Sequence, residues 1–184
     1  PHLDLIVGTE EEVHIAGGST DTITALKCIR ELSNACIVLK LGALGCTVLE
    51  GAIPETMDDF DLFTGVRVDV LNVLGAGDAF MSGFLRGWLR NKDYETCCTY
   101  ANACGALVVS RHGCAPAIPS AEELDYYIAN ADQIPRPDQD SELNYLHRVT
   151  TRRKANWNEI FGLAYDHRIQ LFNMARETGA NEQR

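Results

Sequence analysis

The turn Gly75-Ala76-Gly77-Asp78 constrains this chain more than any other stretch, because an apolar, strand-like run from Val66 to Leu71 stops there and a helix begins. Phe80, Phe84 and Trp88 recur at four-residue spacing with Leu85 and Leu89 beside them, so one face of that helix is expected in a core. Gly75 and Gly77 strip bulk from the turn and let a ligand approach the backbone. The free N–H groups of the helix start, aided by its dipole, form an anion site. Asp78 stands beside that site, where a carboxylate can take a proton from an attacking hydroxyl. An anion hole next to a base is what phosphoryl transfer to an alcohol requires. Spacing alone leaves a plainer reading at even weight, since an Asp in a first helical turn often only complements the dipole. No Lys-Ser or Lys-Thr follows at Walker spacing, and Phe80 stands where a dinucleotide fingerprint needs its third glycine.

Bulk properties narrow the function classes. At 184 residues the chain is long enough for a sizeable core, and its apolar and charged fractions suit a globular protein. A net charge of −10 argues against nucleic-acid or anionic-membrane partners. The Arg152-Arg153-Lys154 cluster reads as a solvated helix end. No run reaches transmembrane length and no secretory signal stands out, so a cytoplasmic location is expected, with homo-oligomers left open. The seven cysteines are odd in number, scattered over apolar segments and form no Cys-x-x-Cys pair, so buried free thiols are expected rather than zinc or disulfides.

The element order reads as a strand, two helices, two or three strands, then a run of helices, which suits an α/β layered domain with a central sheet. Thr9 and Glu12 form a capping-box pattern, Gly17-Gly18 reads as a C-cap turn, and Ser120 with Glu123 caps a helix over 121–129. Ile134 to Asp140 is a Pro-rich polar break. A basic amphipathic stretch, Leu143 to Lys154, follows it, then a short strand-like segment, Ile160 to Arg168.

Gly75-Ala76-Gly77-Asp78-Ala79-Phe80 resembles the signature of the ribokinase-like (PfkB) family of carbohydrate kinases. Lys40-Leu41-Gly42-Ala43-Leu44-Gly45 resembles the family's strand and turn upstream of the signature, and Ala101 to Cys114 its following helix and loop. Val7 to Glu12, Leu71 to Leu74 and Ser110 to Pro116 are similar to members that act on a sugar acid of inositol breakdown. The resemblance implies the C-terminal, nucleotide-binding half of a layered α/β/α kinase domain over 1–133. A linker over 134–140 and a second, truncated α/β domain over 141–184 would follow. The family's sugar-site half, with its twin glycines and β lid, has no counterpart in residues 1 to 70, so the chain is expected to be a fragment.

Family roles then follow by position. Asp78 would be the base acting on a primary hydroxyl, and the N–H groups of Ala76, Gly77 and Asp78, after Gly75, would hold charge on the transferred phosphoryl. Lys40, Gly42, Gly45 and Asn102 would flank ATP, and Glu10 would organise magnesium through water or phosphate. Each of the outlying positions keeps a plainer alternative. Glu10 reads equally as a first-turn acid, Gly42 and Gly45 as the bend of a hairpin between Ile37–Leu39 and Thr47–Leu49, and Asn102 as a packing position.

Two departures from the family pattern stand out. Many members carry Asp-Thr-Thr before the signature, and that Asp helps hold a monovalent cation; Asn72-Val73-Leu74 stands here instead, which puts the cation in doubt. The family's Asn-x-x-Glu element also lacks its Asn. Phe161 to Arg168 resembles the start of an aldolase-like barrel domain fused to some members, with Asp166 at a strand end or capping the next helix. The implied activity is ATP-dependent phosphorylation of a sugar-acid hydroxyl. Fructose, ribose or 2-keto-3-deoxygluconate are the alternative substrates, and a catalytically silent nucleotide-binding module is the alternative of another class.

Overall fold

The computed structural model describes residues 3–151 and Asn173, Met174, Arg176 and Glu177. The chain divides into two compact units, Pro1–Arg152 and Arg153–Arg184. In the second, the four described residues are helical, and the expected strand at 160–168, with Asp166, lies outside the described residues.

The first unit is built on a sheet of β1 (Leu5–Thr9), β2 (Cys36–Lys40), β3 (Gly45–Leu49) and β4 (Leu62–Thr64), in that spatial order. β1 and β2 run parallel, with Thr9 opposite Lys40 at their carboxyl ends. β2, β3 and β4 are antiparallel neighbours, so Gly42–Gly45 does turn a hairpin, through a short 3-10 segment. Strand alternation sends β2 into two cores. Ile37 and Leu39 pack with Val13, Ala25, Leu26 and Ile29 of α1 (Glu10–Gly17) and α2 (Thr22–Leu32). Cys36 and Val38 pack with Phe80 and Phe84 of α3 (Ala76–Trp88) and with Cys97, Cys98 and Ala101 of α4 (Tyr94–Val109). The result is the expected α/β/α layering.

Glycines let α3 and α4 approach closely. A Cβ on Gly83 would lie 2.4 Å from the Tyr100 carbonyl oxygen, and one on Gly87 would lie 2.8 Å from the Cys97 sulfur. Arg86 reinforces the seam, stacking 4.8 Å over the Tyr100 ring and pairing with Asp125 at 2.7 Å. A third core joins α4 to α5 (Ala121–Asn130) and α6 (Ser141–Thr150) through Leu107, Leu124, Tyr127 and Leu143. Ile134 and Pro137, within the Pro-rich break, are buried, and Glu123 in α5 accepts hydrogen bonds from Arg111 at 2.7 Å and from the Ser120 N–H at 2.8 Å. All seven cysteines are free; Cys28 and Cys114 are half-buried and the other five are buried. Among the described residues no helix is long and apolar enough to cross a membrane.

Two expectations need correction. Val66 to Leu71 joins no ladder; Val66 and Val68 face the third core while Arg67 and Asp69 face solvent, and the Leu71 N–H donates to the Val109 carbonyl at 2.7 Å. Alternation marks a half-buried extended segment, and here its neighbour is the end of a helix rather than a strand. Leu89 is 71 % exposed, because it ends α3 beyond the reach of α4, so the buried face of the helix is Phe80 and Phe84 with Trp88 partly covered.

The caps form as read. Thr9 and Glu12 close a capping box, with the Thr9 N–H donating to Glu12 Oε2 at 2.6 Å, and Gly18 ends α1 at φ 69°. That N–H, with Lys40 adding its charge, holds the Glu12 carboxyl below its usual 4.5 against a smaller effect of burial. A depressed carboxyl stabilises the fold above its unfolded value and loses that contribution as the pH falls through the folded value. Glu12→Gln is therefore expected to lower the urea midpoint at pH 7, with the gap to wild type closing below pH 4.5; a gap that persists at pH 3 would point to packing instead. Phe84, fully buried between sheet and helices, is the deeper anchor. Phe84→Ala is expected to cost about 3–5 kcal/mol in equilibrium unfolding.

Candidate active site

The site is assembled where β1 and β2 end and α1 and α3 begin. Gly75 adopts φ 86° at the N-cap of α3, a conformation that glycine takes without strain. A side chain there would also strike Cys114, whose sulfur lies 2.7 Å from the position of a Cβ. The Ala79 N–H makes the first helical bond, to the Gly75 carbonyl at 3.0 Å. The Ala76 N–H is already committed to the Val73 carbonyl at 3.2 Å, so it is not a free donor as expected. Gly77 and Asp78 present their N–H groups in the part of the first turn where a helix offers no internal acceptor. Both residues are exposed, with Asp78 the acid of that turn.

Lys40 completes this turn. Its Nζ lies 3.4 Å from the position of a Cβ on Gly77, and among the described residues outside the turn itself no other atom comes within 4 Å of that position. The ammonium also pairs with Glu12 Oε2 at 3.4 Å, and its side chain is 17 % exposed, against 61 % for Glu12. Such a half-covered pair adds little stability and serves to aim a charge. The register explains the meeting: Thr9 lies opposite Lys40, and Glu12 reaches back over Thr9, so its carboxylate falls on the lysine. Two exposed backbone donors and an ammonium suit an anionic group of phosphate type. No group of three or more metal-binding side chains occurs among the described residues, so a magnesium ion here would draw most of its ligands from nucleotide and water oxygens, with Glu12 the acid at Lys40.

The remaining expected residues fall elsewhere. Glu10 accepts from the Thr22 hydroxyl at 3.1 Å, and that hydroxyl lies 2.9 Å from His14 Nε2, so Glu10 ties α1 to α2. Glu10 and Glu12 stand about 200° apart around the helix, which is why only Glu12 reaches Lys40. Gly42 is exposed at φ 60° with open space around it, whereas Gly45 is built into the sheet, a Cβ there lying 2.0 Å from the Phe63 carbonyl oxygen. Asn102 is buried, and its amide donates to the Phe63 and Thr64 carbonyls at 3.1 Å each, clamping α4 to β4. The cleft it lines holds about 120 Å³, well below the roughly 300 Å³ at which small-molecule pockets begin. Glu12 was legible in sequence only as a cap, and nothing local to the sequence placed it by Lys40.

Comparison with known proteins identifies the family and the fold. The family model for pfkB family carbohydrate kinases matches residues 1–121, and a model for an uncharacterized protein conserved in bacteria (DUF2090) matches residues 123–184, covering the segment likened to a second domain. The 5-dehydro-2-deoxygluconokinase of Halalkalibacterium halodurans is 32 % identical over 136 residues, which cover 71 % of this chain and 39 % of that protein. The ATP-dependent ribose-1-phosphate kinase of Halopiger xanaduensis is 39 % identical over 80 residues, covering 44 % of this chain and 27 % of that one. A crystal structure of a fructokinase double mutant from Vibrio cholerae O395, in its fructose, ADP and potassium ion bound form, superposes with a TM-score of 0.57 at 26 % identity, covering 68 % of this chain and 40 % of that one. The chain thus spans about two fifths of the length of the first of these relatives. With its Gly75-Ala76-Gly77-Asp78 turn opening a helix on a ribokinase-like α/β sheet, the chain belongs to the pfkB family of carbohydrate kinases.

Proposed function

We infer that the protein to which these residues belong transfers a phosphoryl group from ATP to the primary hydroxyl of a sugar acid. The observation that carries this reading is the Gly77-Asp78 turn, with two exposed backbone donors, one exposed carboxylate and the Lys40 ammonium beside it. ATP with magnesium supplies the phosphoryl group. The N–H groups of Gly77 and Asp78, with Lys40, hold the negative charge that accumulates on that group, and Asp78 takes the proton from the attacking hydroxyl. The acidic role beside magnesium is given to Glu12 in place of Glu10, on the strength of its contact with Lys40. The substrate favoured is 5-dehydro-2-deoxygluconate, giving its 6-phosphate in inositol catabolism in the cytoplasm. Support for it comes from relatives of that name in Halalkalibacterium halodurans and in Bacillus licheniformis, 32 % and 31 % identical. Fructose, ribose and 2-keto-3-deoxygluconate are the competing substrates.

A second reading, a nucleotide-binding module silent on its own, is favoured by one observation. Val70, Leu71, Val73 and Leu74, just ahead of the turn, are 61, 44, 72 and 66 % exposed, apolar surface of a kind that a partner domain normally covers. ATP consumption with 5-dehydro-2-deoxygluconate, measured on this chain and on the full-length natural protein, separates the two. Turnover by the full-length protein alone is the expected result; silence from both, each folded, overturns the choice of substrate, and silence on fructose, ribose and 2-keto-3-deoxygluconate as well overturns the kinase reading. In the full-length enzyme, Asp78→Asn is expected to lose about two to four powers of ten in kcat with nucleotide affinity little changed. Glu12→Gln is expected to lower turnover and Glu10→Gln to leave it nearly unaltered; equal losses would return the acid role to both.

A further inference from the structure

The family resemblance implies a monovalent cation near the signature turn, and the related fructokinase of Vibrio cholerae O395 has a potassium-bound form. A cation site of this kind needs converging oxygens with free lone pairs and no donor pointing into it. Here the residues do not fit one. The Asn72 side-chain amide donates to the Gly113 carbonyl at 2.7 Å and reaches the Leu74 carbonyl at 3.4 Å. Its own oxygen accepts from the Leu74 N–H at 3.1 Å. The carbonyls nearest the turn therefore face N–H groups with positive partial charge, and no carboxylate accompanies them at position 72.

Those bonds span two loops. Asn72 lies in the segment that leads into α3, and Gly113 lies in the loop that follows α4. The same loops meet at Gly75 and Cys114, where the sulfur would touch a Cβ, and the Asn72 N–H donates to the carbonyl of Val109, the last residue of α4, at 3.2 Å. The placement of the α3 turn depends on how these two segments are joined.

We propose that the Asn72 amide does the joining that a monovalent cation would do, so that the anion turn of this protein is assembled without potassium. Asn72 is a positioning residue: it acts on Gly75 to Asp78 through the loops and not on a ligand. Two N–H donors on one planar group satisfy two carbonyls, as one cation between them would, with no ion to recruit from solution. An Asp at position 72 would turn a carboxylate toward the same carbonyls, leaving them unpaired and creating an oxygen cluster that a cation can fill.

The proposal rests on the fold and the Asn72 contacts, and only its second readout rests on the kinase reading. The test uses the full-length natural protein in potassium, sodium, caesium or choline chloride at matched ionic strength. Thermal unfolding of the wild type is expected to show the same Tm in all four, and turnover the same rate. A Tm or rate that rises in potassium alone overturns the proposal. Asn72→Asp is expected to lose about 2–4 °C in choline chloride and to recover it in potassium. A folded variant unaffected in choline, or destabilised and not rescued by any of the three ions, equally overturns it. Because the Tm series requires no turnover, a protein inactive on every sugar would sink the kinase assignment while still deciding the role of Asn72.

Discussion

The close seam between α3 and α4 is the constraint from which the rest of the site follows. Gly83 and Gly87 let the two backbones approach to distances that any side chain would block, and Phe80 and Phe84, one turn apart, press the same helix onto Cys36, Val38 and Cys46 of the sheet. Helix α3 is thereby held on both flanks, and its N-terminus is delivered to the carboxyl edge of β2. Crevices at the carboxyl ends of strands are where open α/β sheets bind ligands, because helix starts and strand ends bring backbone donors and loop side chains together there. Interiors packed at crystal-like density convert a shift of one ångström into a clash, so this delivery is precise.

Charge at the site is arranged by a second, cheaper device. The capping box that starts α1 satisfies a backbone donor of Thr9 with Glu12, and in doing so fixes where the Glu12 carboxylate points. Parallel pairing of β1 and β2 sets Lys40 directly opposite Thr9, so the fixed carboxylate meets the lysine, and the lysine meets the Gly77 turn. A local helix-start bond is thus reused to aim an ammonium at the start of α3. The loops are fastened in a similar way, with Asn72 spending its amide on carbonyls of both segments that flank the turn.

Much of this was legible in the sequence where the signal is local. The capping boxes at Thr9 and Ser120, the Gly18 C-cap, the β2–β3 hairpin and the Phe80–Phe84 face all follow from spacing and residue chemistry, and all are present. The failures share one cause. Val66–Leu71 had the alternation of a strand, yet alternation reports one buried face and says nothing of whether a ladder partner lies alongside. Asn102 read as either a ligand contact or a packing position, and only the placement of β4 against it showed where its amide donates. Glu10 and Glu12 are indistinguishable as acids in a first turn until the neighbouring strand is in place.

The sequence by itself determined the glycine turn with Asp78 at a helix start, the family and the order of elements, because glycines at a helix start and apolar periodicity act within a few residues of one another. Only the tertiary structure decided which acid faces Lys40, which donors of the turn remain free, and what binds the loop carbonyls. The acid at Lys40 and the bond between the two loops depend on strand register and on contacts between residues 28 to 41 positions apart in the chain, such as Thr9 with Lys40 and Asn72 with Gly113, and no local pattern encodes such distances. The donors are decided nearer by, where the Val73 carbonyl takes the Ala76 N–H.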